Sequence, residues 1–330
     1  MTSIAESYCL DPKVFESQYK NHLSDFNEWD QKDHAEDWLL FEQNIGTCLS
    51  LDETSISNGE LCTILTNKTA KGRKGSIVAM CAGTRAEDII NVFGRISPID
   101  RQLVREVTLD FASSMNNAVI KSFPNAKITI DRFHVQKLVT EAVQAMRIKL
   151  RWEAIEEENE IIKKAREKYR AQSKQNIQYN RPKLRTYSNG DTKKQLLARS
   201  RYLLFKPKSK WADSQKERAV ILFEAFPELR DAYNLSMMFR NIYEQAKTKT
   251  EAKELLTNWY IKVEEKNYSH FITAADYIQA HEDTILNYFP DRSTNASAES
   301  FNAKLKGFRS LVRGVRDKKF FLYRVSKIWG

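Results

Sequence analysis

The chain has 330 residues, of which 42% are hydrophobic and 29% are charged, and its net charge is +10. This composition excludes an intrinsically disordered chain and allows two domains, or one domain with a large insertion. The sequence has no apolar run near the ~20 residues of a membrane-spanning helix and no signal-peptide pattern at its start, so we expect a soluble, cytoplasmic protein.

The four cysteines, Cys9, Cys48, Cys62 and Cys81, have no CxxC spacing. This pattern favours ordinary thiols over a zinc finger or a disulfide framework. A metal ion in this protein would therefore be a hard cation held by carboxylates.

The charge is unevenly distributed. Residues 1–48 contain three Lys and Arg against ten Asp and Glu, whereas residues 291–330 contain ten against three. A concentrated positive charge is typical of a surface that binds a polyanion such as DNA, because neutralised phosphates release counterions. It would place the protein on the nucleoid. A solvated basic surface that serves solubility remains the alternative.

The first 140 residues predict a short N-terminal segment followed by a mixed α/β domain. Residues 1–45 are acidic and aromatic, and predict a helical brace or a partner contact. Strands are predicted near 47–55, 60–67 and 75–82, the first two joined by an Asn58-Gly59 turn. A helix, a strand ending in Asp110, a second helix and a strand ending in Asp131 follow. The order βββαβαβ indicates a sheet that begins antiparallel and continues through crossovers.

The rest of the chain predicts helices. Apolar periodicity and proline breaks place them near 134–170, 193–205, 211–225, 228–246, 248–265, 270–288 and 296–308, with a polar loop over 171–192 and a basic tail at the end. The predicted division is an N-terminal segment (1–45), a first core part (46–140), an all-α insertion (141–289) and a second core part with the basic tail (290–330).

Three aspartates stand in or at the ends of predicted strands: Asp52, Asp110 and Asp131. Each one alone is more often a helix cap or a turn residue. As a set they suggest catalysis, because carboxylates within ~4 Å repel by about 4 kcal/mol per pair at an effective dielectric near 20 and so recruit a cation. Mg²⁺ prefers oxygen ligands, and two such ions can clamp an in-line phosphoryl displacement.

Glu299 is a single acid in a basic segment. If 296–308 is helical, Glu299, Asn302, Ala303 and Lys306 share one face. That face would bring a carboxylate, an amide and an ammonium to one place. A surface glutamate paired with a lysine explains the pattern equally well.

Several motifs resemble a known family: LSLDETS, GELCTILTNK, VTLDFASSM, FPNAKITIDRFHVQKLV and STNASAESFNAKLKGFRSLVRGVRD. They are similar to bacterial insertion-sequence DDE transposases of the ISL3-like group. The resemblance implies an RNase H-like core with a helical insertion, a catalytic triad of Asp52, Asp110 and Glu299, and two Mg²⁺ ions that Mn²⁺ can replace. Asp131 and His134 resemble a supporting Asp-x-x-His element, although His134 is as well explained as a structural histidine.

The resemblance also implies DNA as substrate, at both the element ends and the target, and an assembly of two or more copies. Relatives carry an N-terminal zinc finger or helix-turn-helix, whereas residues 1–48 have no metal-ligand spacing, so we expect that a separate chain could supply end recognition. Asn302 is predicted to support the site. The residues predicted to contact DNA are Arg73, Lys74, Lys304, Lys306, Arg309, Arg313 and Arg316.

Two other functions remain open on the sequence. The first is an RNase H-like nuclease that cuts DNA without strand transfer. The second is a non-catalytic, DNA-binding relic of a transposase, against which the presence of all three acids counts.

Overall fold

The computed structural model of the protein describes residues 2–57, 59–172, 181–312 and 314–330. The chain forms two compact units, of which the first comprises the residues up to Asp131 and from Asp291 onward, and the second Arg132–Pro290. The sequence-based boundaries are 140/141 and 289/290, so the structure assigns the start of the long helix to the second unit. Asn58 of the predicted turn and Arg313 of the predicted DNA contacts lie outside the described residues.

The first unit is built on a single mixed sheet. Its strands are β1 (Trp38–Leu40), β2 (Cys48–Ser57), β3 (Glu60–Asn67), β4 (Ile77–Ala82), β5 (Glu106–Leu109) and β6 (Lys127–Ile130). Their order in the sheet is β1-β4-β3-β2-β5-β6. β2, β3 and β4 pair antiparallel, and β5 and β6 continue the sheet parallel to β2. The predicted mixed α/β class is confirmed, as is the adjacency of β2 and β5 that an RNase H-like core requires.

Helices occur in both units. In chain order they are α1 (Thr2–Ser7), α2 (Pro12–Gln18), α3 (Ala86–Phe93), α4 (Pro98–Leu103), α5 (Ser113–Ser122), α6 (Arg132–Gln172), α7 (Lys193–Arg199), α8 (Asp213–Ala225), α9 (Pro227–Gln245), α10 (Lys249–Lys266), α11 (Ser269–Ala280), α12 (Glu282–Leu286), α13 (Tyr288–Asp291), α14 (Ala296–Leu311) and α15 (Lys318–Trp329).

The two faces of the sheet differ in character because successive strand residues point to opposite sides. Leu49 and Leu51 of β2 are fully buried on one face. Helix α3 packs against β4 and helix α5 against β5, and the two helices also pack against each other. Ser50 and Asp52 point to the opposite face, where α14 contacts β2. The polar residues of the central strand therefore face the helix that carries Glu299.

Twelve residues of the predicted basic tail form a helix, α15, which the sequence patterns do not predict. Phe321, Val325 and Trp329 of this helix join Phe301 of α14 in one buried apolar cluster. Their spacing of four residues places them on one helical face. The lysines and arginines of this segment hide that periodicity when only charge is counted.

The N-terminal segment contains a strand that the sequence patterns do not predict. In β1, Leu39 is fully buried and pairs with Met80 of β4. The Phe41 side chain belongs to the buried apolar cluster that contains the α15 residues, and Trp29 packs against that cluster. Two short helices, α1 and α2, precede β1. The aromatic residues thus brace the first unit.

Among its described residues, the regular elements of the second unit are helices. α6 has 41 residues, about 60 Å at 1.5 Å per residue, and it packs against α7, α9 and α11. Capping sets the helix starts: Thr192 and Gln195 form a capping box at α7, and Pro227 begins α9. Trp259 is fully buried and donates its indole N–H to the Leu235 carbonyl at 3.0 Å. Among the described residues, no helix has both the length and the apolar character needed to cross a bilayer.

Candidate active site

Strand register places the predicted aspartates in the middle of β2 and directly after β5 and β6. Ser50 of β2 is paired with Thr108 of β5, and Asp52 and Asp110 each lie two residues further on. Residues two apart on a strand share a face, so the register carries both aspartates to the same level. Asp131 follows β6 directly, and its backbone N–H donates to the Leu109 carbonyl at 3.0 Å.

α14 is fastened to this row by a direct contact with Asp52. The buried side chain of Asn302 donates its amide N–H to Asp52 Oδ2 at 2.7 Å. Glu299 lies three residues earlier on the same helical face and is exposed. The contact of Asn302 with Asp52 joins the helix of Glu299 to the strand of Asp52.

A fourth carboxylate, Glu53, stands beside this row, and the sequence-based prediction missed it. Burial raises the pKa of the Glu53 carboxyl, and the negative charge of Asp110 raises it further. The LSLDETS motif contains Glu53, but it directs attention to the aspartate alone. Negative charge accumulates here, which is the electrostatic condition for recruiting a cation.

The three predicted catalytic acids have the ligand type of a magnesium site, and they lie on elements that contact one another. Carboxylate oxygens are the ligands that Mg²⁺ prefers, and Asp52, Asp110 and Glu299 lie on two paired strands and the helix that packs on them. Among the described residues, however, no group of three His, Cys, Asp or Glu side chains is arranged to hold a metal ion. Asp52 lies on β2 and Asp110 directly after its paired strand β5, and Glu299 lies one helical turn before Asn302, which contacts Asp52.

Asp131 anchors the start of the glutamate helix. It is 3% exposed, and its Oδ2 accepts the backbone N–H of the buried N-cap residue Asn295 at 2.5 Å. The Asn295 carbonyl in turn accepts the Glu299 N–H at 3.0 Å. Asp131 thus holds the turn that presents Glu299. His134, its predicted companion, lies in the first turn of α6 in the other unit, with its ring edge-on to Phe133 at 5.4 Å.

A buried polar cluster forms a second anchor for the segment that precedes α14. Lys68 Nζ donates to Glu106 Oε1 at 3.0 Å and to Ser293 Oγ at 2.5 Å, and it also contacts Thr108. The Ser293 hydroxyl donates to Glu106 as well. Burial alone would raise the pKa of Glu106, but the Ser293 hydrogen bond and the Lys68 charge outweigh it and lower that pKa. No sequence motif points to this cluster.

The anchoring role of Asp131 predicts a stability effect. Replacing Asp131 by Ala leaves the buried Asn295 N–H without its acceptor, which costs about 1–3 kcal/mol. We expect the free energy of unfolding in denaturant to fall by that amount. Asp291→Ala is the matched control, because Asp291 begins the same segment but forms an exposed ion pair with Lys127, a type worth about 0–1 kcal/mol. Equal effects of the two substitutions would contradict the anchoring role.

The basic loop between β3 and β4 is connected to α14. Arg73 and Lys74 are exposed in this loop. Lys304 Nζ donates to the Gly72 carbonyl at 2.9 Å, and a Cβ built on Gly72 would lie 2.7 Å from that nitrogen. Gly72 has φ +71°, so a side chain there would be strained, and the Lys304 ammonium would have to shift. Lys304 therefore joins the loop to the glutamate helix, next to the exposed cations.

The remaining predicted DNA contacts differ in their surroundings. Lys306 and Arg316 are exposed. The Arg309 guanidinium donates to the backbone carbonyls of Ser55 at 3.0 Å and Ile56 at 3.3 Å. Arg309 consequently holds the end of β2 to α14, a structural role that its sequence context does not indicate.

The sequence matches a known protein family. A family model described as transposase, of the ISL3 group of DDE enzymes, matches residues 49–325. The match spans both units and includes all three predicted catalytic acids. The comparisons with curated proteins and with solved structures gave no match.

Proposed function

We propose that this chain, which belongs to the ISL3 family of DDE transposases, cuts DNA at the ends of its element and joins them to target DNA. The observation that carries the proposal is the hydrogen bond between Asn302 and Asp52. It holds the helix of Glu299 on the strand of Asp52, whose neighbouring strand ends at Asp110. This contact supports a common site for acids that lie far apart in the sequence.

In this proposal Asp52, Asp110 and Glu299 hold two Mg²⁺ ions, for which Mn²⁺ can substitute. Bound divalent ions would supply Lewis acidity that activates a water and offsets charge on the phosphate oxygens. The protein's own part is positional. Asn302 fixes the Asp52 carboxylate, and Asp131 fixes the turn before Glu299.

The reaction consists of two in-line displacements at phosphorus. Water attacks a phosphodiester at the element end, the P–O bond to the leaving 3′-oxygen breaks, and a free 3′-hydroxyl results. That hydroxyl then attacks a phosphodiester of the target, and the displaced target oxygen leaves as a new 3′-hydroxyl. Two element ends have to be joined to one target, so we propose that two or more copies act together on DNA, and that a separate chain can supply end recognition. The mass of the protein–DNA complex tests this assembly.

The test of the proposed function is an assay on the DNA that flanks the coding sequence. With Mg²⁺ or Mn²⁺ we expect nicked element ends and, with added plasmid, covalent joint products. Cleavage without joint products under both ions would favour a nuclease. Specific binding without any cleavage would favour a non-catalytic relic.

The exposed cations near the glutamate helix predict the salt dependence of DNA binding. We expect the triple substitution Arg73→Gln, Lys74→Gln and Lys306→Gln to weaken binding to DNA of any sequence, because phosphate contacts carry no sequence information. The slope of log K against log salt should become shallower by about 1 for each phosphate that the variant no longer neutralises. Fluorescence anisotropy at several salt concentrations measures it.

The matched control removes three exposed lysines from α10: Lys249, Lys253 and Lys262. It lowers the net charge of the protein equally. If both triple variants changed the salt slope to the same degree, overall charge would explain the binding, and the surface next to α14 would have no special part in it.

A further inference from the structure

The helical unit contains a cleft that the proposed chemistry does not use. It lies between the first turns of α6, the segment after α7 and the middle of α9, and its volume is about 680 Å³. Small-molecule sites are typically about 300–1,000 Å³, so the cleft has room for one nucleotide. Four cations line it: Arg132, Lys137, Arg201 and Arg240.

The positive charge in this cleft is incompletely neutralised. Arg240 pairs with Glu244 at 3.3 Å, and Lys137 lies 3.8 Å from Glu141 in an exposed pair. Within the described part of the chain, Arg132 and Arg201 have no carboxylate within ion-pair distance. Arg132 instead donates to the Tyr288 hydroxyl at 3.4 Å. The cleft therefore favours an anion.

One buried arginine, Arg147, adds to the positive charge near the cleft. Arg147 is 6% exposed and donates to Gln144 Oε1 at 2.7 Å and to the Leu197 carbonyl at 3.0 Å. Burial lowers the pKa of Arg147, and the like charges of Arg151 and Arg201 lower it further. Crowding of guanidinium groups is unfavourable, and a bound phosphate would relieve it.

The cleft also offers aromatic surface. Phe133 lines it and is 59% exposed, and Phe205 lines it too. Next to Arg201, the Tyr202 ring is 64% exposed and lies 5.5 Å from the guanidinium carbon. Aromatic faces stack on bases of any sequence, whereas arginines hold the phosphates, which is the combination used by proteins that bind unpaired nucleic acid.

We propose that this cleft binds one unpaired nucleotide of a DNA strand, with its base on Phe133 and its phosphates on Arg132, Arg201 and Arg240. An inorganic anion would leave the aromatic surface unused, and an apolar ligand would leave the cations unused. The proposal does not depend on the carboxylates of the first unit. A chain that lacks catalytic activity would still have this site.

The experiment titrates the full chain with 2-aminopurine deoxyribonucleoside 5′-monophosphate, whose fluorescence is quenched when its base stacks. We expect saturable quenching. Phe133→Ala should abolish the quenching, and Arg201→Gln and Arg240→Gln should each weaken binding about tenfold. Arg230→Gln is the matched control, since Arg230 is exposed on α9 outside the cleft and its loss should change nothing. Near-native unfolding curves for each variant exclude misfolding.

Two further arms identify the source of the nucleotide. 2-Aminopurine placed in an unpaired position of a DNA hairpin should bind more tightly than the free mononucleotide, because the flanking phosphates meet the same cations. Equal affinity would indicate a site for free nucleotides and overturn the assignment to a DNA strand. Competition by inorganic phosphate as strong as that by the nucleotide, or quenching unchanged in Phe133→Ala, would overturn base stacking. Asp52→Asn, which is expected to abolish cleavage, should leave the titration unchanged.

Discussion

Replacing Asp52 by Asn is expected to abolish DNA cleavage while the fold and DNA binding persist. The substitution keeps the size of the side chain and leaves an oxygen that can accept the Asn302 N–H, so the packing of α14 on β2 survives. The negative charge is removed, and with it a hard oxygen ligand for a divalent ion. We expect a loss of at least about 10³-fold in the cleavage rate, and the same for Asp110→Asn.

Glu299→Gln should cause a similar loss, measured in the same assay of nicked and joined DNA. Asp291→Asn is the control, because Asp291 is an exposed carboxylate of the same segment, and its charge is not used in the proposed chemistry. Full activity of Glu299→Gln would remove this residue from the catalytic set. Glu53, whose pKa the Asp110 charge raises, would then be the next candidate, and Glu53→Gln would be the decisive variant.

The order of strands β2 to β6 along the chain could be predicted from the sequence, whereas the edge strand β1 and the last helix α15 could not. Alternating runs, a turn signal and family motifs mark β2 to β6 in the sequence. β1 has only three residues, and its formation depends on pairing of Leu39 with Met80, which is distant in the chain. α15 is obscured in the sequence because Lys318, Lys319 and Lys327 mask the apolar face of Phe321 and Trp329.

At the candidate site, too, local patterns could be predicted from the sequence, whereas contacts between distant residues could not. Helical periodicity predicts that Glu299 and Asn302 share a face, but the partner of Asn302 follows from tertiary packing. The hydrogen bond between Asp131 and Asn295 bridges 164 positions. Lys68 and Glu106 are ordinary charged residues in the sequence, and they become a buried pair because the register of β2 and β5 brings β5 close to the loop after β3.

The buried pair of Lys68 and Glu106 predicts a large effect on stability. In the ion pair, the Lys68 side chain is 15% exposed and that of Glu106 is 11% exposed. Lys68→Met would leave the Glu106 carboxylate buried without its counter-charge. Breaking a buried pair in this way costs about 3–5 kcal/mol, which chemical denaturation would measure. Lys127→Met is the control, since it breaks an exposed pair with Asp291 and should cost about 0–1 kcal/mol.

The pH dependence of the stability loss in Lys68→Met distinguishes loss of the counter-charge of Glu106 from a simple loss of packing. In the native protein the folded-state pKa of Glu106 is lowered, so its contribution to stability is present above the unfolded-state pKa and is lost as pH falls through the folded-state pKa. In Lys68→Met, burial prevails and raises the folded-state pKa of Glu106. As pH falls, the Glu106 carboxylate is therefore protonated at a higher pH in the variant than in the native protein, and protonation removes the cost of the unpaired charge. The deficit in unfolding free energy should therefore shrink as pH falls from about 7 towards the unfolded-state pKa of Glu, about 4.3. A deficit independent of pH would show that Lys68 acts through packing alone, and a double variant with Glu106→Gln should recover most of the loss at pH 7.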